Sequence, residues 1–331
     1  MQFSKNLLAL EPAVEAERII QWLRRDVPNV LRRRGGVVGI SGGVDSAVVL
    51  ALSVRALGPG KIIALMMPDK DSDPESERLA RTLAGECGVT PLLEEMTQAL
   101  EGFGCYRRRD EAIRRVFPEY DPARGYKAKI VLPQNLLEES TLNVFSLTLV
   151  TPDGEERTST LPVREFLQIV AASNFKQRSR MAMLYYHAEL RNFAVIGTTN
   201  KNEHDQGFFV KHGDSGVDLQ PIGHLYKTQI YQLAAYLDIP EAIRQRPPTS
   251  DTYSAACTQQ EFFFRLPFET MDLLWFAQEH GLSKTEAARA MGLTEVQVQR
   301  AFDDFASKSR STNYLRMPPL QLSGRETPAR P

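Results

Sequence analysis

Ser41-Gly42-Gly43-Val44-Asp45-Ser46 sets two hydroxyls, two glycines and a carboxylate together, directly after the apolar run Val37-Val38-Gly39-Ile40. Glycine at 42 and 43 opens backbone conformations closed to other residues. It also lets main-chain N–H groups approach a ligand with no side chain between. Those amides, the hydroxyls of Ser41 and Ser46 and the start of a following helix form an anion cradle. Asp45 would repel a bare phosphate, and a Mg²⁺ ion between carboxylate and phosphate oxygens removes that conflict. The loop is not the P-loop, which needs a Lys after its last Gly. Nor is it the dinucleotide fingerprint, because the third Gly is missing. A plain Gly-Gly turn from strand to helix is the bland alternative. The hydroxyls and carboxylate at these spacings favour a phosphate site.

Such a cradle needs a buried strand before it and a helix after it. The apolar run at 37–40 reads as a buried parallel strand, and residues 47–56 read as the helix. Ahead of them, Ala16, Ile19, Ile20, Leu23, Val27 and Leu31 have helical spacing over 12–33, ended by Gly35-Gly36. Residues 61–67 form a second buried strand stopped by Pro68, 74–87 a helix and 90–93 a short strand. Strands alternating with helices predict an α/β fold with a Rossmann-like parallel sheet flanked by helices. Residues 97–132 are mixed and polar, with one helix near 108–117. Phe145, Leu147 and Leu149 then alternate with polar residues before the turn Pro152-Asp153-Gly154-Glu155. That is a β-hairpin signature, read as an insertion over 133–165. The α/β pattern resumes with a helix over 175–190, a strand over 193–197 and a helix over 228–237. From 262 to about 310 the pattern is mostly helical. The expected organisation is a main domain over 1–260, a helical C-terminal extension over 261–320 and a disordered tail over 321–331.

Bulk properties narrow the function classes. The chain has 331 residues and a formal net charge of −1, so no global field draws it to nucleic acid or anionic lipid. Arg32-Arg33-Arg34 and Arg107-Arg108-Arg109 are short runs that read as solvated surface. Cys87, Cys105 and Cys257 are few, widely spaced and odd in number, which argues against a disulfide framework. None has metal-ligand spacing with another Cys or with a His cluster. The N-terminus does not read as a secretory signal. No run approaches the ~20 apolar residues that span a bilayer, so a cytoplasmic protein with no membrane partner is expected.

With these elements in place, the loop resembles the pyrophosphate loop of the N-type ATP pyrophosphatases. Downstream segments resemble one branch of that superfamily, the NAD synthetases. Asn174-Phe175-Lys176-Gln177-Arg178-Ser179-Arg180-Met181 is similar to their Asn-x-x-x-Arg-x-Arg-Met. Gly197-Thr198 through Glu203 is similar to their Gly-Thr-x-x-x-x-Glu. Gly207-Phe208-Phe209-Val210-Lys211-His212-Gly213-Asp214-Ser215-Gly216-Val217-Asp218-Leu219, Pro221-Ile222 through Gln229, and Pro248-Thr249-Ser250-Asp251 follow in the family's order. The resemblance implies an adenine nucleotide alpha hydrolase-like fold. It also implies a ligase that adenylates the carboxylate of deamido-NAD with ATP and Mg²⁺, then amidates it with ammonia. Gly39, Ile40, Ser41, Gly42, Gly43, Val44, Asp45, Ser46, Thr198, Lys227 and Thr249 would contact ATP. Asp45 and Glu203 would hold the metal. Arg178, Lys211 and Asp218 would contact the dinucleotide, with Asp45, Lys211 and Lys227 carrying the catalysis. Arg180 is read as a ligand contact or a helix brace. A homodimer is implied.

The chain departs from the family's compact pattern in three places. These are the insertion over 133–165, the segment Thr252 to Phe264 in place of an acidic stretch, and Asn313-Tyr314 where the family has His-Lys. An adenylating amide ligase acting on another carboxylate therefore stands as an alternative acceptor reading. No nucleophile set for a glutaminase is present, so ammonia is expected free or from a separate donor protein. Residues 282–305 also read as helix, Gly292 turn, helix, with Gln297, Gln299 and Arg300 as base readers of a helix-turn-helix or regulatory homologue. The missing basic face favours a packing or dimer element there, and no nucleic-acid partner is expected.

Overall fold

The computed structural model describes residues 3–133, 136–138, 144–249 and 253–322. Ser250, Asp251, Thr252 and tail residues 323–331 lie outside the described residues.

Pro12–Asn29 forms α1. It stops short of the expected end at 33, and the chain turns through Arg32 at φ 54° before the sheet begins. Strand β1 is Gly36–Gly39, followed by α2, Val44–Leu57, β2, Ile62–Met66, α3, Pro74–Glu86, and β3, Leu92–Leu93. The short α4, Thr97–Gly102, and α5, Cys105–Val116, come next. Three strands follow: β4, Lys127–Val131, β5, Ser146–Val150, and β6, Glu156–Thr160. A 29-residue helix, α6, spans Val163–Arg191 and leads into β7, Ala194–Ile196. Then come α7, Lys201–Gln206, α8, Lys227–Tyr236, and α9, Glu241–Gln245. A π-helical turn, Gln260–Phe264, precedes α10, Phe268–Glu279, α11, Lys284–Met291, α12, Glu295–Ser311, and α13, Asn313–Arg316.

The main sheet is parallel in the order β3-β2-β1-β7. Alternation along the strands sorts side chains to two faces. Val38, Ala64, Met66, Ala194 and Ile196 meet α1, α2 and α8, whereas Val37, Leu65 and Val195 meet Met181, Leu184 and Ala188 of α6. The chain leaves β1 toward β2 on one side, and β7 lies on the other. The end of β1 is therefore a topological switch point, where open α/β sheets bind ligands.

The hairpin over 133–165 is real but belongs to a larger unit. Strand β4 pairs antiparallel with β5 and lies before the expected boundary, while α6 begins inside it. The Lys-Ala-Lys-Ile-Val run of β4 is short and sits in polar sequence, which hid it. Its Ala128 and Ile130 pack with Leu147, Leu149 and Ile169.

The C-terminal helices build their own core from Phe264, Met271, Leu274, Trp275, Val298 and Phe305. The residues read as base readers are engaged internally. Gln297 caps α12 with Thr294, Gln299 bonds Asp303, and Arg300 donates to the Leu137 carbonyl at 2.8 Å. This is packing, as expected. One surface reading needs correction: Arg109 is only 3% exposed and pairs with Asp71 and Asp110. Its guanidinium joins a buried network that no local pattern marks.

Candidate active site

The loop after β1 turns as its composition requires. Gly42 sits at φ +72°, and a Cβ there would lie 2.5 Å from the Ser76 carbonyl oxygen, so only glycine fits. Ser46 Oγ donates to the Gly43 carbonyl at 3.0 Å and lies 3.3 Å from Ser41 Oγ. Gly43 is the N-cap of α2 with no side-chain cap bond. The first-turn amides of that helix are thus available to an anion.

Three residues from distant parts of the chain converge beside Asp45 of this loop. Lys227, the first residue of α8, forms a buried ion pair with Asp45. Asn200 Nδ2 donates to the other Asp45 oxygen at 3.0 Å. Asn200 also N-caps α7 in a capping box with Glu203: its side chain accepts from Glu203 N, and Glu203 Oε2 accepts from Asn200 N, both at 3.1 Å. Asn200 therefore bridges the two carboxylates expected to hold metal. Burial, then the neighbouring Asp45, push the Glu203 carboxyl up to about 8. Burial opposes the charge on Lys227, but Asp45 and Glu203 outweigh it and raise its pKa. Two adjacent carboxylates facing a single buried cation are a pair that a divalent ion would relieve.

Asp45 and Glu203 border one cavity of about 760 Å³. Gly39, Ile40, Ser41, Gly43, Asp45, Ser46, Thr198, Glu203, Arg178, Lys211 and Thr249 line it. Gly42 and Val44 shape the loop from behind, and both are buried. Lys227 acts through Asp45 from beneath the surface, at 1% exposure. Asp218 is not among the lining residues. It is exposed, accepts from Val195 N at 2.8 Å and from the Tyr185 hydroxyl at 3.2 Å.

Arg180 lines the cavity and also braces it: Nε donates to the Met67 carbonyl at 2.9 Å, and the guanidinium pairs with Asp69 at 2.7 Å. Lys176 joins the same cluster, 3.1 Å from Asp69 and 2.6 Å from Asp71. These contacts pin the end of β2 to α6. Met66 and Met67 at that end line the cavity.

Part of the cavity wall is aromatic. Phe145 of the three-stranded unit stacks on Phe166 of α6 with centroids 4.5 Å apart, and Phe262 and Phe208 continue the row. Lys211 also lines the cavity, donating to the carbonyls of Tyr314 and Met317, each at 2.9 Å. Arg178 Nε donates to the Lys211 carbonyl at 3.1 Å. The segment carrying Asn313-Tyr314 thus meets the expected substrate lysine through backbone carbonyls.

Four polar residues at or behind the site were not among the expected ones. Asn200 had a local signal, since Asn followed by Glu three residues on is a capping box. Gln259, which donates to Glu203 at 3.1 Å, and the Asn202–Asp272 pair at 2.5 Å had none. Their partners are 56 and 70 residues away.

Comparison with known proteins agrees with this geometry. The profile of the family described as NAD synthase matches residues 15–113 and 137–318. A protein of Mesorhizobium japonicum described as NH(3)-dependent NAD(+) synthetase is 48% identical over 95% of this chain and 98% of its own length. A Rhizobium meliloti protein of the same description is 48% identical over 96% of this chain and 94% of its own. Alignments of that length take in most of the insertion and the C-terminal helices. The fold is also that of the NH3-dependent NAD synthetase from Campylobacter jejuni, with a TM-score of 0.61 at 22% identity over 95% of this chain and 100% of that one. This chain belongs to the NAD synthase family.

Proposed function

We propose that the chain makes NAD by amidating deamido-NAD with ammonia, consuming ATP to AMP and pyrophosphate. It is a ligase forming a C–N bond, as its family is. The observation that carries the reading is the convergence of Asp45, Lys227, Asn200 and Glu203 on the Gly42-Gly43 loop at the switch point. The loop amides and the start of α2 would take the β- and γ-phosphates, with Ser41 and Ser46 beside them. Thr198 and Thr249 border the same space.

Asp45 and Glu203 fit Mg²⁺, which takes one or two protein carboxylates alongside phosphate oxygens. When bound, the ion would neutralise charge developing on the leaving pyrophosphate. The deamido-NAD carboxylate oxygen attacks the α-phosphorus, and the bond to the bridging oxygen of pyrophosphate breaks. Lys211 would meet the negative charge gathered there, and Lys227 holds Asp45 in place. Ammonia then attacks the acyl carbon, AMP leaves with the acyl C–O electron pair, and the nitrogen loses a proton. Arg178 would steady the dinucleotide at the cavity mouth. Asp218 would meet it only beyond the cavity, on the Tyr185 side.

The test is AMP and pyrophosphate release from ATP, Mg²⁺ and ammonium with deamido-NAD, against a panel of other carboxylates. Deamido-NAD-dependent turnover is expected, and its absence in a folded protein that binds ATP would sink the assignment. Asp45→Ala should abolish AMP formation while leaving the far-UV spectrum unchanged. Free ammonia should suffice, although a separate donor protein could supply it. Among the described residues no helix is long and apolar enough to cross a membrane, and ATP as co-substrate suits the cytoplasm. A homodimer is supported by Val163, Leu167, Tyr186 and Leu190, which stand exposed along α6. A monomer by sedimentation at micromolar concentration would count against it.

A further inference from the structure

The C-terminal helices share a buried polar contact with the ATP site. Asp272 of α10 is 0% exposed. One of its oxygens accepts from Asn202 Nδ2 at 2.5 Å, and the other accepts from Thr228 N at 2.8 Å. Asn202 in turn accepts from Lys227 N at 3.0 Å. The amides of Lys227 and Thr228 open α8 and have no partner within the helix. Two side chains from two other elements satisfy them. Lys227 leaves that anchored turn to pair with Asp45.

We propose that Asp272, acting with Asn202, is a positioning residue for the ATP site. It fixes the first turn of α8 and so sets where the Lys227 ammonium stands. The inference rests on the reading of Asp45 and Lys227 as ATP-site groups. The residue type matters. A carboxylate offers acceptors on both oxygens, and both are used. An amide at 272 would turn an N–H toward either Thr228 N or Asn202 Nδ2. Asn202 cannot answer by flipping, because its own oxygen already serves Lys227 N. A residue needed only to fill space in the helical core would not have to be charged, and burying this charge is costly. Burial raises the Asp272 carboxyl to about 6, with hydrogen bonds from Thr228 and Asn202 and the charge of Lys227 opposing the rise.

The structure also supplies its own rescue. Exchanging the two residues keeps every bond. Asparagine at 272 accepts from Thr228 N and donates to aspartate at 202, whose second oxygen accepts from Lys227 N. The experiment compares Asp272→Asn, Asn202→Asp and the double exchange for steady-state kinetics and thermal midpoint. Asp272→Asn and Asn202→Asp should each lower kcat by about ten- to a hundred-fold, the scale of supporting-shell losses. The KM for deamido-NAD should stay within about two-fold, since the wall around Lys211 is untouched. The double exchange should return kcat to within about three-fold of wild type. Wild-type kcat and ATP KM in folded Asp272→Asn would overturn the proposal. So would a double exchange that recovers the thermal midpoint but not kcat. Should a single variant fail to fold, Asn202→Ala, which removes the acceptor for Lys227 N, must lower kcat instead. A wild-type enzyme inactive on deamido-NAD would overturn the proposed function, whereas an active wild type with indifferent variants overturns only this inference.

Discussion

Two parts of the cavity wall are built on different physics. Beside the glycine loop, Asp45, Lys227, Asn200 and Glu203 are held by one another through side-chain hydrogen bonds and an ion pair. Their partners are fixed before any ligand arrives, the arrangement that stabilises developing charge without reorganisation. On the aromatic wall, Phe166, Phe145, Phe262 and Phe208 come from four separate segments, and Lys211 rests on two main-chain carbonyls. Shape and apolar surface dominate there. The proposed function assigns the ATP chemistry to the first part and the reading of the acceptor to the second.

The sharpest break in this contrast is Lys227→Met, which leaves Asp45 without its buried counter-charge. It should cut kcat for AMP formation roughly a thousand-fold, the scale of losing a preorganised electrostatic group. Retention of activity within ten-fold would place Lys227 outside the chemistry. Lys211→Met should act more gently and on the other part. We expect kcat to fall about ten-fold and the KM for deamido-NAD to rise, with the ATP KM unchanged, and equal shifts in both KM values would dissolve the distinction between the two parts.

The smallest expected effect is on stability. Burial raises the Asp214 carboxyl to about 6 although it accepts the Val210 amide at 2.6 Å. Its ordinary value is about 3.9, so the fold favours the protonated form. Its contribution is fully present below pH ~4 and is lost as pH rises through ~6. The Asp214→Asn variant lacks that titration. Urea unfolding should show wild type gaining on the order of 2 kcal/mol relative to the variant between pH 7 and pH 4. Parallel curves would show that Asp214 is solvated like an ordinary carboxylate.

What was legible in the chain follows the reach of each interaction. The cradle, its flanking strand and α2 are local: Gly42 takes a positive φ because its neighbours require it, and the apolar run announces the strand. The capping box at Asn200 and Glu203 is equally local. Arg109, Gln259 and Asp272 acquire meaning only when Asp71, Glu203 and Asn202 arrive from 38, 56 and 70 residues away. Strand β4 was missed for a related reason, since its partner β5 begins only after residue 145. Arg107-Arg108-Arg109 shows the limit of composition, as one residue of a basic run can be interior while the other two stay in water.

Gly207 has a consequence for how the enzyme comes into being. It follows α7 at φ +80°, and a Cβ there would strike Thr312 at 2.2 Å. Thr312 also donates to the Gln206 carbonyl at 3.3 Å, and Arg316 to the His204 carbonyl at 3.0 Å. The segment at Thr312–Arg316, translated after the other residues of the site, therefore closes directly on the turn that follows α7, the helix that carries Glu203. A nascent chain halted before α10 would already hold the phosphate loop and both carboxylates, yet it would lack the anchor for α8 and the carbonyls that hold Lys211. Order of synthesis alone would then keep an unfinished chain from assembling the complete site.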